Sequence, residues 1–409
     1  LERLAYERAF EAAQADVNAA PALAREVKAL RGQIDGIEKA IARPISVTAT
    51  VPKAPAKAKD LQQKINPIRE LALAAGATMI ARKTKEAPEE TTEAPEETTE
   101  APEETTTTAA AAEPIRIAIV APSASNDLAF TQSIVDAVNV IESERDIAEV
   151  AITDGTFVVE DAAAAIRDYA TNGFDLVIAH GSQYGGSLQE IAPDFPETSF
   201  AWGTAADTFG LPNVFAYEAA SDEGGYVMGV MGAALTESST IGIVGPIEVG
   251  DAKLYVDGYK AGAEAADSGV TVNVNYTGSF SDVALASEAA QAHVAAGADV
   301  MTGTAQMVVG AVGVANDQGI LWFGTQANQT SLAPDIVVAS QVYKWEVVLR
   351  EILDNMESGT LGGSTYKIDL ANEGLVIEYN PDFELSDDVK ALADQAIADI
   401  ISGSIVPTG

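Results

Sequence analysis

The sequence predicts an α/β protein of two similar lobes, each a parallel sheet covered by helices, preceded by a helical, heptad-bearing segment and a disordered acidic tether. Three observations lead there. Short, continuous apolar runs alternate with helical stretches from residue 115 onward, and strands apolar on both sides belong to parallel sheets buried on both faces. About a dozen strands are expected on this pattern, too many for one six-stranded sheet, so two lobes are the economical division. Residues 86–106 hold three copies of E-A-P-E-E-T-T. Proline, like-charged glutamate and threonine at that density cannot bury surface, so 86–113 reads as an extended linker that separates residues 1–85 from a body over 114–409.

Before the linker, Leu23, Val27, Leu30, Ile34, Ile37 and Ile41 step by alternating fours and threes between charged residues. That heptad spacing fits a coiled coil or helical hairpin, or else a lone amphipathic helix on a partner surface. Pro44, Pro52 and Pro55 end it. The apolar run L-A-L-A-A-G-A-T-M-I-A (71–81) has the length of a signal-peptide core, but it lies internally, and a short buried helix explains it equally well. The chain starts at Leu1, as a fragment or processed product would.

Within the body, I-R-I-A-I-V (115–120) reads as a buried strand with a helix over 134–141. A-E-V-A-I-T (148–153) follows, with a helix over 160–171. F-D-L-V-I-A-H (174–180), a helix near 186–192 and T-S-F-A-W-G (198–203) continue the alternation. The later strands are T-I-G-I-V-G (240–245), V-T-V-N-V-N-Y (270–276), D-V-M-T-G (299–303), L-W-F-G (321–324) and D-I-V-V-A-S (335–340). Ligands of such sheets bind beyond the carboxyl ends of the strands. The loop S-N-D-L-A-F-T-Q-S (125–133) lies at one such end. Asn126 and Asp127 are expected to cap the next helix, to touch a ligand, or both, with Phe130 beside them.

Composition narrows the function. The chain carries 24 Lys+Arg against 61 Asp+Glu, a net charge of −37. The basic residues concentrate in residues 1–85, which hold 15 of them, so the body is far more acidic than the whole. Such a body repels phosphate backbones and anionic lipid, so no nucleic-acid partner is expected. There are no cysteines and only two histidines, which rules out thiolate chemistry, disulfides and a histidine metal cluster. No apolar run reaches the roughly 18 residues of a membrane span. G-V-M-G-A-A (229–234) lies in a helix pattern without a preceding strand and is no dinucleotide fingerprint. No G-x-S-x-G elbow, P-loop or zinc motif is present, so no enzyme and no cofactor are expected.

Across 114–409 the chain resembles the basic membrane protein (BMP) family, purine-nucleoside-receptor-type substrate-binding proteins of ABC importers. S-N-D-L-A-F-T-Q-S resembles the family's Asp-Asp-x-x-Phe-Asn-x-Ser loop. F-D-L-V-I-A-H-G (174–181) with P-D-F-P-E-T-S-F (193–200) is similar to its second signature. E-A-A-S-D-E-G-G-Y-V-M-G (218–229), Y-T-G-S-F-S-D (276–282), G-A-D-V-M-T-G (297–303) and I-I-S-G-S-I-V-P (400–407) continue the likeness in order. The resemblance implies two Rossmann-like lobes of the type I periplasmic-binding-protein fold. Lobe one would be about 114–219 plus 338–360, and lobe two about 220–337 plus 361–409. It also implies an extracytoplasmic location, in the periplasm or on the outer face of the membrane, a nucleoside or nucleobase-like solute, and ABC permease partners. A ligand-sensing signalling or structural receptor, self-associating through residues 23–41, is the alternative.

By the same resemblance Phe130 stacks on a base, Phe280 faces it from the other lobe, and Gly303 gives a backbone contact. Two departures stand out. The family's aspartate after the first strand falls at Ala121 or Pro122. Its Gly-x-Asp-x-Asp-Gln segment reads G-T-Q-A-N-Q (324–329), putting Gln326 and Asn328 where carboxylates would accept from a ribose. The pocket is therefore expected to be less anionic, and to suit a free nucleobase as well as a nucleoside. Gly181 and Tyr184, in the glycine-rich G-S-Q-Y-G-G, are candidates for close approach to a solute; a surface loop explains Tyr184 equally well. Trp202 is a candidate stacking wall, and Trp322 is expected in the core. Lys344 is either a ligand donor or an ion-pair partner. His180 is expected to be structural, and His293, in an alanine-rich helical run, is expected on the surface.

Overall fold

The computed structural model describes residues 114–408. The heptad segment, the 71–81 run and the repeat linker lie outside the described residues.

The chain opens with β1 (Ile115–Val120), α1 (Phe130–Glu144), β2 (Ile147–Thr153), α2 (Val159–Thr171), β3 (Leu176–His180), α3 (Gly185–Ile191), β4 (Ser199–Gly203) and β5 (Val214–Ala219). It continues through α4 (Ser221–Leu235), β6 (Thr240–Gly245), α5 (Gly250–Ala266), β7 (Thr271–Tyr276), α6 (Val283–Ala295), β8 (Val300–Gly303), α7 (Val308–Gln318) and β9 (Leu321–Gln326). It ends with β10 (Val337–Tyr343), α8 (Glu346–Glu357), β11 (Thr365–Ile368), β12 (Leu375–Tyr379) and α9 (Asp387–Ile401).

These strands form two six-stranded sheets, ordered β11-β5-β4-β3-β1-β2 and β12-β10-β9-β8-β6-β7. The first is parallel throughout. The second is parallel except for β12, which runs antiparallel to β10. Both faces of each sheet are buried at the central strands, which is why these read as unbroken apolar runs. Ile117 and Ile119 of β1 point into one cluster, while Ala118 and Val120 point into the other. In the second sheet Ile241 and Ile243 face one side, and Val244, Met301 and Trp322 the other.

Helix α4 is buried almost all round and lies backbone-to-backbone on α5. A Cβ on Gly229 would collide with the Tyr259 carbonyl, and one on Gly262 with the Tyr226 carbonyl. Glycine is needed for that close approach, which explains a glycine-rich helix in a core that otherwise prefers large side chains.

Sheet pairing differs from the expected lobe bounds in two places. β10, expected in lobe one, bonds to β9 in the second sheet, and β11, expected in lobe two, bonds to β5 in the first. The chain therefore crosses between lobes at 220, 344–345 and 369–374. These crossovers hold one another: Ala220 N–H donates to the Ile368 carbonyl at 2.9 Å, and Lys344 N–H to the Gly374 carbonyl at 2.7 Å. His293 also differs from expectation. It is 1% exposed, and its Nε2 donates to the Ile243 carbonyl at 3.0 Å. Gly242 leaves the room its ring occupies.

Candidate ligand-binding cleft

The carboxyl ends of both sheets meet across a cleft beside the crossovers. In lobe one the first loop is organised by Asp127. Its carboxylate accepts from the backbone N–H groups of Ala129 (2.9 Å), Thr131 (3.1 Å) and Gln132 (3.1 Å), and from Ser123 Oγ at 2.6 Å. Those N–H groups begin α1 and have no carbonyl to bond inside the helix. Asp127 is therefore a cap, with its acceptor positions used by the protein. Asn126 is exposed beside it, and Leu128 takes φ +52°, which turns the chain into the helix.

Phe130, 8% exposed, opens α1 with its ring stacked on His180, centroids 4.0 Å apart and planes 20° from parallel. His180 Nε2 lies 3.3 Å from the Phe130 carbonyl, an acceptor only, so that nitrogen carries the proton. His180 Nδ1 then accepts from Tyr217 Oη at 2.7 Å. Burial pushes the imidazole pKa down to about 3, so the ring is neutral and serves as the backing of Phe130. Trp345 closes the group edge-on to His180 and Tyr217, and its Nε1 donates to Ser133 Oγ at 2.9 Å. Lobe one thus ends in a rigid aromatic block.

Lobe two ends differently. Among the described residues seven buried side-chain polar atoms lack a hydrogen-bond partner, and all belong to lobe two. Four of them lie just beyond β8, on Thr304 and Gln306, or at and beyond the end of β9, on Gln326 and Thr330. Gln326, 3% exposed, is held at φ +72°, and Ala305 at φ +76°. A side chain at positive φ stores strain, and such residues collect at binding sites. Gln329, fully buried, crosses the gap: its Nε2 donates to the Leu128 carbonyl of lobe one at 3.3 Å, while Trp322 Nε1 donates to its Oε1 at 2.9 Å. A cavity of about 160 Å³ lies between α1 and the ends of β9 and β10, lined by Ser133, Ala137, Gln326, Asn328, Tyr343 and Lys344 among others.

The expected site residues divide on this geometry. Gln326, Asn328 and Lys344 line this cavity, whereas Phe130 is buried against His180. Lys344 Nζ bonds Glu378 at 2.8 Å, and Asn328 Nδ2 donates to the same carboxylate at 2.8 Å, so Lys344 is an ion-pair partner here. Burial pushes the Glu378 pKa up, but the bonds from Lys344 and Asn328 outweigh it and hold the pKa below the ordinary range. Gly303 ends β8, where a Cβ would stand 2.7 Å from the Val244 carbonyl. Phe280 is partly buried in the loop before α6, its carbonyl bonded by Met307 N–H at 3.1 Å.

Two expected contacts are packing residues instead. Tyr184 is fully buried, its hydroxyl bonded to Thr156, and it has no surface left for a solute. Trp202 fills the space over Gly185, donates to the Gly181 carbonyl at 3.1 Å and stacks on Phe209, so Gly181 is an acceptor within lobe one. Residues that the sequence did not mark are Gln329, which bridges to Leu128, and Trp345, which closes the aromatic block. Nothing in their local pattern separates them from core and crossover residues.

Residues 115–409 match the family described as Bmp, ABC transporter substrate-binding protein PnrA-like. A purine-binding protein of Brucella abortus is 27% identical over 267 residues, covering 65% of this chain and 75% of that protein. The ABC transporter nucleoside-binding protein BmpA of Lactococcus lactis is 25% identical over 308 residues, covering 68% of this chain and 85% of that one. A solved solute-binding protein of an ABC transporter system from Conexibacter woesei shares the fold, with a TM-score of 0.59 at 24% identity over 71% of this chain and 98% of that one. Among the described residues no helix is long and apolar enough to cross a membrane.

Proposed function

The chain belongs to the Bmp family of ABC transporter substrate-binding proteins, and from that premise we propose that its cleft captures a purine nucleoside or a related nucleobase-like heterocycle. Proteins of this family bind small solutes outside the cytoplasm for ABC permeases; they are not a family of enzymes. The solute class is the inference. One observation carries it: lobe one ends its strands in an aromatic block, and lobe two ends its strands in buried polar atoms without partners. A flat, hydrogen-bonding heterocycle answers both, stacking on Phe130 and satisfying Gln326 and its neighbours. Two relatives named for purine and nucleoside binding support the same class. By composition, residues 86–113 serve as the spacer from which the cleft ranges at the periplasmic or outer face of the membrane.

Thermal unfolding of the full chain with adenosine, guanosine, inosine and the free bases tests this. A ligand at a hundred times its Kd that binds only the folded state adds about 2.7 kcal/mol. Stabilisation by a purine nucleoside, abolished in Phe130→Ala, is the expected result. Response to free bases alone would restrict recognition to the heterocycle. Silence across all purines would contradict the proposal.

A further inference from the structure

Asp251 sits in the first turn of α5, partly buried, where no sequence signal marked it. Side chains from three other elements surround it. Tyr343 Oη, from β10, lies 3.5 Å from Oδ2. Gln326, from the end of β9, lies near enough for its side chain to lower the Asp251 pKa against the effect of burial. Ser221 Oγ, from α4, donates to the Asp251 carbonyl at 2.6 Å and fixes its backbone. Among the described residues no lysine, arginine or histidine pairs with it; the titratable groups on this side are Tyr343 and, beside it, Tyr255, both kept neutral by burial. Gln326 Oε1 has no partner, although the residue is 3% exposed.

A carboxylate in a first helical turn gains from the helix dipole, and that alone would explain Asp251 as a helix-start residue. It would not explain the adjoining amide, held at φ +72° with a buried acceptor left open. Strain and an unmet acceptor together are what a preorganised site retains.

We propose that Asp251 and Gln326 Oε1 form an acceptor subsite of the cleft, taking a ligand group with adjacent hydrogen-bond donors: the vicinal hydroxyls of a sugar or the N–H edge of a heterocycle. The inference rests on reading the cleft as a solute site. It assigns the specificity-determining carboxylate to α5, in place of the acids that G-T-Q-A-N-Q lacks. Burial raises the Asp251 pKa to about 6, so the acceptor form prevails at neutral pH and is lost below it.

Calorimetry on the full chain with purine nucleosides, their 2′,3′-dideoxy forms, free purines, ribose and glucose tests the assignment in wild type, Asp251→Asn and Gln326→Met. For whichever ligand binds, Asp251→Asn weakens affinity roughly thirty-fold, and Gln326→Met weakens it in the same direction. Wild-type affinity falls roughly tenfold from pH 7.5 to 5, while that of Asp251→Asn stays flat. A loss confined to ligands with sugar hydroxyls identifies the diol as the group held; a loss shared by free bases identifies the N–H edge. Undiminished purine binding in both variants keeps the purine reading and overturns the subsite. Sugar binding without purine binding, weakened in Asp251→Asn, overturns the purine reading and keeps the subsite. Binding of nothing in either panel overturns both. Should Asp251→Asn fail to fold, Gln326→Met with the wild-type pH profile decides.

Discussion

Lobe one and lobe two repeat the same strand order, with β1 to β5 and β11 of one matching β6 to β10 and β12 of the other. Their strand ends nonetheless carry opposite chemistry. Lobe one closes its edge internally: Asp127 is consumed by the α1 cap, His180 by Tyr217 and Phe130, and Trp345 by Ser133. Lobe two leaves its edge open, with strained backbone at Ala305 and Gln326 and polar atoms that nothing in the protein satisfies. One fold repeated twice thus divides a binding task, with a rigid stacking plane on one side and hydrogen-bonding groups awaiting a ligand on the other.

The largest effect should come from the close backbone contact between α4 and α5 in lobe two. Gly262→Val drives a side chain into the Tyr226 carbonyl between α4 and α5. A loss of at least about 3 kcal/mol is expected, since backbone cannot yield as a side chain can. Urea unfolding followed by limited proteolysis should show lobe two opening first. Next comes Phe130→Ala, which removes a buried ring from the lobe-one block and should cost about 3 kcal/mol of unliganded stability. A cost near zero would mean that Phe130 is not backed by His180.

Acid should separate the lobes in sign. His180 is lowered from 6.5 to about 3. Its contribution is present above about pH 6.5 and is lost as pH falls toward 3. Asp251 is raised from 3.8 to about 6; the folded protein holds a proton the unfolded chain releases, so its contribution grows as pH falls from 6 to 4. Each slope approaches about 1.4 kcal/mol per pH unit. Between pH 6 and 4, His180→Gln should flatten the acid loss of stability and Asp251→Asn should steepen it, as read by urea midpoints. Identical profiles in the two variants would break the comparison.

Much of this was legible in the sequence because the strands are buried on both faces, so continuous apolar runs marked β1 to β4 and β6 to β10. β5, β11 and β12 were missed: T-Y-K-I and L-V-I-E-Y are edge strands, partly exposed and interrupted by charge, while β5 is a buried interior strand. The placing of β11 beside β5 depends on pairing Thr365 with Ala216, far apart in sequence, and local pattern carries no such information. At the candidate site, Phe130 and Gln326 could be singled out from sequence because loop and strand-end positions are local. Asp251 was hidden among 61 acidic residues, and its first-turn position reads as ordinary helix chemistry. Tyr184 misled because flanking glycines suggest an open loop, whereas they let its ring fold inward. The smallest prediction follows from that correction: Tyr184→Phe should cost about 1 kcal/mol of stability through the lost Thr156 bond and leave ligand affinity unchanged.

Hydrogen exchange on the full chain, with and without a saturating purine nucleoside, tests the division of labour most directly. Ligand should protect both loops together, 121–133 in lobe one and 324–329 in lobe two, with the start of α5 at Asp251. Protection confined to one lobe, or lying away from both strand ends, would contradict a solute held between an aromatic plane and the open hydrogen-bonding groups opposite it.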